Sequence, residues 1–127
     1  MPSFHKNERL CSRKLIEELF ASRNRFILFP YSVAWNICPQ DTFEAPAQVL
    51  ISTSKRRFHH AVDRNRVKRL SRECYRLHKE ELYHILENQN IKITLSISYI
   101  HTEILPYETL YRKFDRIIAQ LQKELHS

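Results

Sequence analysis

The residues of this chain best equipped for chemistry are cations. Arg64-Asn65-Arg66-Val67-Lys68-Arg69 sits in a stretch that also holds Lys55, Arg56, Arg57, Arg72, Arg76 and Lys79, against two acids, Asp63 and Glu73. That stretch carries +8 while the 127-residue chain carries +7, so everything outside it sums to −1. A nearly neutral body with one cationic element gathers anions far better than scattered charge does. Wound as a helix at about 100° per residue, the stretch brings Arg64, Lys68, Arg69, Arg72, Arg76 and Lys79 within an arc of roughly 140°. Val67, Leu70, Cys74 and Leu77 fall within roughly 80° on the opposite side. Asn65 and Tyr75 lie inside the cationic arc, offering an amide for hydrogen bonds and a ring for a base or sugar. Solvated helix faces mix signs at i,i+4, whereas Lys68, Arg72 and Arg76 repel one another. The pattern predicts a polyanionic partner, with Arg favoured over Lys as bidentate phosphate contact requires.

Other constellations are weaker. His59 and His60 could serve a protein-only nuclease as general acid and base, but neighbours in a basic loop rarely face one reacting atom. Cys74 and His78 share a helical face at i,i+4, and two ligands alone do not hold zinc. Cys11, Cys38 and Cys74 are odd in number and widely spaced, without a CxxC pair, which predicts reduced thiols in a cytoplasmic protein. The chain contains no glycine, where ordinary usage of about 7% would supply about nine. That excludes a P-loop, a GxGxxG turn, the KH clamp and the RRM signature. Phosphates must then be held by side chains and helix ends. The N-terminal residues lack an apolar signal region, and no stretch approaches a membrane span, so no membrane partner is expected.

The elements that position these residues follow from periodicity. Ser12 caps a short helix with Leu15, Ile16, Leu19 and Phe20 on one face. Asn24 and Pro30 bracket a break, and Tyr31 to Ile37 alternate as a half-buried strand. Pro39 to Pro46 reads as a loop, and Ala47 to Ser54 as a second strand. The basic stretch becomes helical from Val62 to Glu87, ended by Asn88-Gln89-Asn90 with Asn at a left-handed cap. Ile91 to Tyr99 is the clearest strand. Pro106 opens a final helix with Leu110, Phe114, Ile117, Ile118, Leu121 and Leu125 as its buried stripe. The order helix, strands, helix, strand, helix predicts one α+β domain over residues 1–127.

At these residues the chain resembles the bacterial ribonuclease P protein subunit. Ser52-Thr-Ser-Lys55-Arg56 followed by Arg64-Asn65-Arg66-Val-Lys68-Arg69-Leu-Ser-Arg72 is similar to that family's strand-end and helix-start signature. Arg9-Leu10, with a helix ending in Phe20, is similar as well, and the resemblance covers nearly the whole chain. Glycines usual in the family are replaced here by Leu50 and Phe58. The resemblance implies a ribosomal protein S5 domain 2-like fold with a left-handed βαβ crossover, against the usual handedness. It implies binding to the catalytic RNA of a holoenzyme that removes the 5′ leader from precursor tRNA. Arg64, Arg66, Lys68, Arg69, Arg72 and Arg76, with Lys55 and Arg56, would contact the RNA subunit. Phe20, Ile16, Trp35, Ser52, Ser54, Asn65 and Lys68 would form the cleft for the single-stranded leader. Hydrolysis would use Mg²⁺ bound chiefly by the RNA, so no side chain here would be catalytic and none would be a metal ligand. A plain RNA-binding protein such as a ribosomal component is the alternative. A DNA reader is disfavoured, because no helix-turn-helix or heptad element flanks the basic helix.

Overall fold

Alternating apolar residues in four segments pair into one mixed sheet. The computed structural model describes residues 4–126. Its elements are α1 (Arg13–Ala21), β1 (Arg25–Leu28), β2 (Tyr31–Cys38), β3 (Ala47–Ser52), α2 (Ala61–Gln89), β4 (Lys92–Tyr99) and α3 (Tyr107–Leu125). The strand order is β1-β2-β4-β3. β1 and β2 are antiparallel, as are β2 and β4, while β3 and β4 run parallel and are joined by α2. A parallel pair needs such a crossover, which is why the cationic helix lies between two adjacent strands.

Each helix end has a local cause. Ser12 Oγ accepts the Leu15 N–H at 3.3 Å to cap α1. Asn90 adopts φ 55°, the left-handed geometry that Asn tolerates, and α2 stops there. The stretch between Asn24 and Pro30, expected to be a break, is the edge strand β1; four residues are too few to show an alternation in the sequence. β3 ends at Ser52, so Ser54 belongs to the loop beyond it.

The sheet is covered on both faces. Tyr31, Val33, Trp35, Val49, Ile51, Ile93, Leu95 and Ile97 face α2 and α3 in the main core. All six residues of the expected α3 stripe are buried there. Burying each such side chain contributes about 1.5–3 kcal/mol. On the other face Ala34 and Leu50 meet Leu15, Ile16 and Leu19 of α1. The chain before α1 closes the β3 edge: Leu10 N donates to Val49 O and Gln48 Nε2 to Asn7 O, both at 2.9 Å.

α2 turns a different face inward from the one its sequence suggests. Val67 and Cys74 are buried as expected, but Ser71, Tyr75, Lys79, Leu82 and Leu86 join them, and Leu77 is exposed. The buried arc sits roughly 80° round from the Val67–Leu77 stripe. The reason is polar. Ser71 Oγ hydrogen-bonds Tyr31 Oη at 2.7 Å, and Lys79 meets a buried carboxylate, so these polar groups go inside without loss. Tyr75 is therefore not available to a base; it packs edge-on against Phe4 at 5.7 Å.

Candidate nucleic-acid interface

The loop before α2 is fastened by its own residues. Phe58 is buried against Tyr99, and Arg64 Nη1 donates to Phe58 O at 2.8 Å and His59 O at 3.0 Å. Arg57 donates to Ile100 O. Lys55 and Arg56 are thus exposed on a pinned loop, and Arg64 is half-buried as its clamp. Beyond it Arg66, Arg69 and Arg72 are exposed and Lys68 is half-buried. Among the described residues none of these four forms an ion pair.

The row stops sooner than expected. Arg76 grips Glu73 with two bonds, Nε to Oε2 at 3.0 Å and Nη2 to Oε1 at 2.6 Å, which corrects its assignment as an open cation. Hydrogen bonding to that guanidinium holds the Glu73 carboxyl below the usual range. Lys79 is only 6% exposed, with Nζ at 2.7 and 3.0 Å from the two oxygens of buried Glu8. Tyr83 Oη donates to the same carboxylate at 2.6 Å. Burial alone would raise the Glu8 carboxyl, but Lys79, Tyr83 and the His5 N–H outweigh it and hold it low.

The other half of the site is the sheet face beside α1. One residue from each strand forms a row, Ile27, Ser32, Ser98 and Ser52, just beyond the row that α1 covers. Ser52 and Ser98 hydroxyls bond at 3.0 Å. Ser52, Ser54, Arg56, Arg57 and Ser98 line one cavity of about 330 Å³. Ile16 and Phe20 share the flank of α1 that looks toward this row, Ile16 half-buried and Phe20 48% exposed. Asn65 is exposed in the first turns of α2.

Trp35 does not belong to this cleft. It is 6% exposed and points from β2 into the α2–α3 core, on the opposite face from Ser32 and Ala34. Alternation already put Trp35 on the side away from Ser32; which side faced α1 depended on pairing. Ser32, Ser98 and Ile27 were missed for the same reason, since register decides which residues lie abreast.

The alternative chemistry finds no support in geometry. His59 and His60 are exposed loop residues. Burial pushes the Cys74 thiol up to about 12. His78 is buried with Nδ1 on Cys74 O and Nε2 on Asp115 Oδ1, both at 2.7 Å, a tie between α2 and α3. Among the described residues no group of three or more His, Cys, Asp or Glu side chains is placed to hold a metal ion. No helix among them is long and apolar enough to cross a membrane.

Comparison with known proteins decides the family, because residues 4–122 match the one described as Ribonuclease P. The chain belongs to the ribonuclease P protein family. The ribonuclease P protein component of Porphyromonas gingivalis is 33% identical over 116 residues, covering 91% of this chain and 84% of that one. That of Chlorobium phaeobacteroides is 28% identical over 131 residues, covering 94% and 88%. The fold is that of the ribonuclease P protein of Staphylococcus aureus, with TM-score 0.69 over 90% of this chain and 94% of that one, at 15% identity.

Proposed function

We propose that this chain is the protein subunit of a ribonuclease P holoenzyme, binding its catalytic RNA and the single-stranded 5′ leader of precursor tRNA. It thereby promotes Mg²⁺-dependent endonucleolytic removal of the leader, which yields the mature 5′ end. The observation behind this reading is the row Arg66, Lys68, Arg69 and Arg72, without acid partners among the described residues, on the helix that follows the loop of the Ser52–Ser54 cavity. Cations held without counter-charge in the free protein bind phosphates and release their counterions.

The parts divide the work. Lys55, Arg56, Arg66, Arg69 and Arg72 engage phosphates of the RNA subunit. Lys68 and Asn65, from the same turns of α2, contact the leader. Ser52 and Ser54, with Ser98 and Ser32, hydrogen-bond leader phosphates or 2′-hydroxyls, and exposed Phe20 gives a base a ring to stack on. Arg64 holds the loop geometry from within. Mg²⁺ supplies the activated water and stabilises the charged oxygens when bound, and the RNA holds it, since carboxylates are scarce on this face. Cleavage takes place in the cytoplasm.

The test mixes this protein with a bacterial ribonuclease P RNA and precursor tRNA at low Mg²⁺ and measures cleavage with each component omitted. Stimulation of the RNA's cleavage, together with tighter binding of leader-bearing than of mature tRNA, is the expected result. RNA binding without stimulation would make the chain a structural RNA binder, and cleavage by protein alone would make it a nuclease.

A further inference from the structure

The opposite flank of α1 borders a second groove of about 610 Å³, between the start of α1 and the end of β2. Lys6, Arg9 and Lys14 line it against one carboxylate, Glu18. All three cations are exposed, and among the described residues none of them forms an ion pair. Leu15, Pro39 and Phe43, none of them fully buried, give the groove an apolar lining beside these cations. Three cations without an ion pair next to an apolar lining suit a ligand with spaced negative charges and flat apolar surfaces. A nucleic acid strand has both, since phosphates meet the cations while a base covers the apolar lining.

This groove is not the leader cleft. Residues i and i+4 share a helix flank, so Lys14 and Glu18 look one way, Ile16 and Phe20 the other, and buried Leu19 lies between. The net charge of the chain outside the basic stretch is −1, and that sum conceals this local concentration of cations.

We infer that this groove is a second single-stranded RNA site, binding a segment other than the leader through Lys6, Arg9 and Lys14. It rests on the reading above in that its RNA comes from the same complex. Cys11 lines the groove and is exposed, whereas Cys38 and Cys74 are buried, so a thiol-directed photo-crosslinker can be placed there selectively.

The experiment assembles the full chain with the catalytic RNA and precursor tRNA, irradiates the Cys11-labelled complex, and measures the salt dependence of assembly for K6E/R9E/K14E beside the parent. The expected results are a Cys11 crosslink to RNA outside the leader and a salt slope shallower by about 2 in the variant, at roughly 0.7 per single-strand phosphate contact. Circular dichroism of the variant confirms its fold. A crosslink confined to the leader, or an unchanged slope with no RNA crosslink, overturns the second site and leaves the proposed function standing. A parent protein that binds no RNA overturns both.

Discussion

The two halves of α2 use their cations in opposite ways. Residues 61–72 hold Arg64, Arg66, Lys68, Arg69 and Arg72 with Asp63 as the only acid. Residues 73–89 hold Arg76 and Lys79 with Glu73, Glu80, Glu81 and Glu87. In the second half each cation has a carboxylate, Glu73 for Arg76 and Glu8 for Lys79, and the bonds serve the fold. In the first half Arg64 bonds only backbone oxygens, and the others meet no carboxylate among the described residues. Under the proposed function, the cations paired with carboxylates serve the fold and those without a carboxylate meet the RNA.

The sharpest way to break the contrast is to strike the buried pair. Lys79→Met leaves Glu8 buried beside Tyr83 without its counter-charge, a change that costs about 3–5 kcal/mol of stability. Urea unfolding reads that loss, while the salt slope of RNA binding by the folded protein stays where it was. The pair also sets an acid limit. The Glu8 carboxyl is held below its usual value near 4.5, so on acidification the unfolded chain takes up that proton first. Its contribution is present above that value and is lost as pH falls through the lower folded value. Glu8→Gln removes this part of the acid dependence, and an unchanged acid limb in the variant would contradict it.

The first half calls for the reverse outcome. Arg69→Ala or Arg72→Ala removes an exposed cation, so unfolding free energy moves by no more than about 0.5 kcal/mol. Affinity for the catalytic RNA falls, and the salt slope becomes shallower by about 1 for each residue lost. Loss of stability in place of affinity would make these arginines structural, like Lys79.

The sequence shows this division only in part. The α3 stripe, the β4 alternation and the Asn90 cap were legible because each is a local pattern with a local cause. The cationic stretch was legible because no acids interrupt it. The facing of α2 was not. Lys79 goes inward only because Glu8, 71 positions earlier, is folded against it, and Ser71 only because Tyr31 lies opposite. The serine row was hidden likewise, since Ser32, Ser52 and Ser98 come from three strands and only pairing sets them abreast. Trp35 was misplaced by the same gap, its aromatic ring suiting a base or a core equally well. Lys6, Arg9 and Lys14 were invisible in a charge sum that cancelled them against acids elsewhere.

The boundary between the halves lies at Glu73 and Arg76, and the smallest effect sharpens it there. Their pair is partly exposed, so breaking it costs no more than about 1 kcal/mol. Glu73→Gln keeps the shape of the side chain and removes its charge, leaving the guanidinium of Arg76 one turn beyond Arg72 without its bidentate carboxylate. The cationic row then gains a member, so affinity for the catalytic RNA rises slightly and the salt slope steepens by up to about 1. Arg76→Ala in the parent leaves the slope unchanged, because there the charge was already matched, whereas in the Glu73→Gln background it returns the slope to the parent value. A double-mutant cycle on these two positions separates the cases. If Arg76→Ala lowers the parent's slope as much as Arg72→Ala does, Glu73 does not shield it, and the binding half of the helix extends a turn further than its ion pairs indicate.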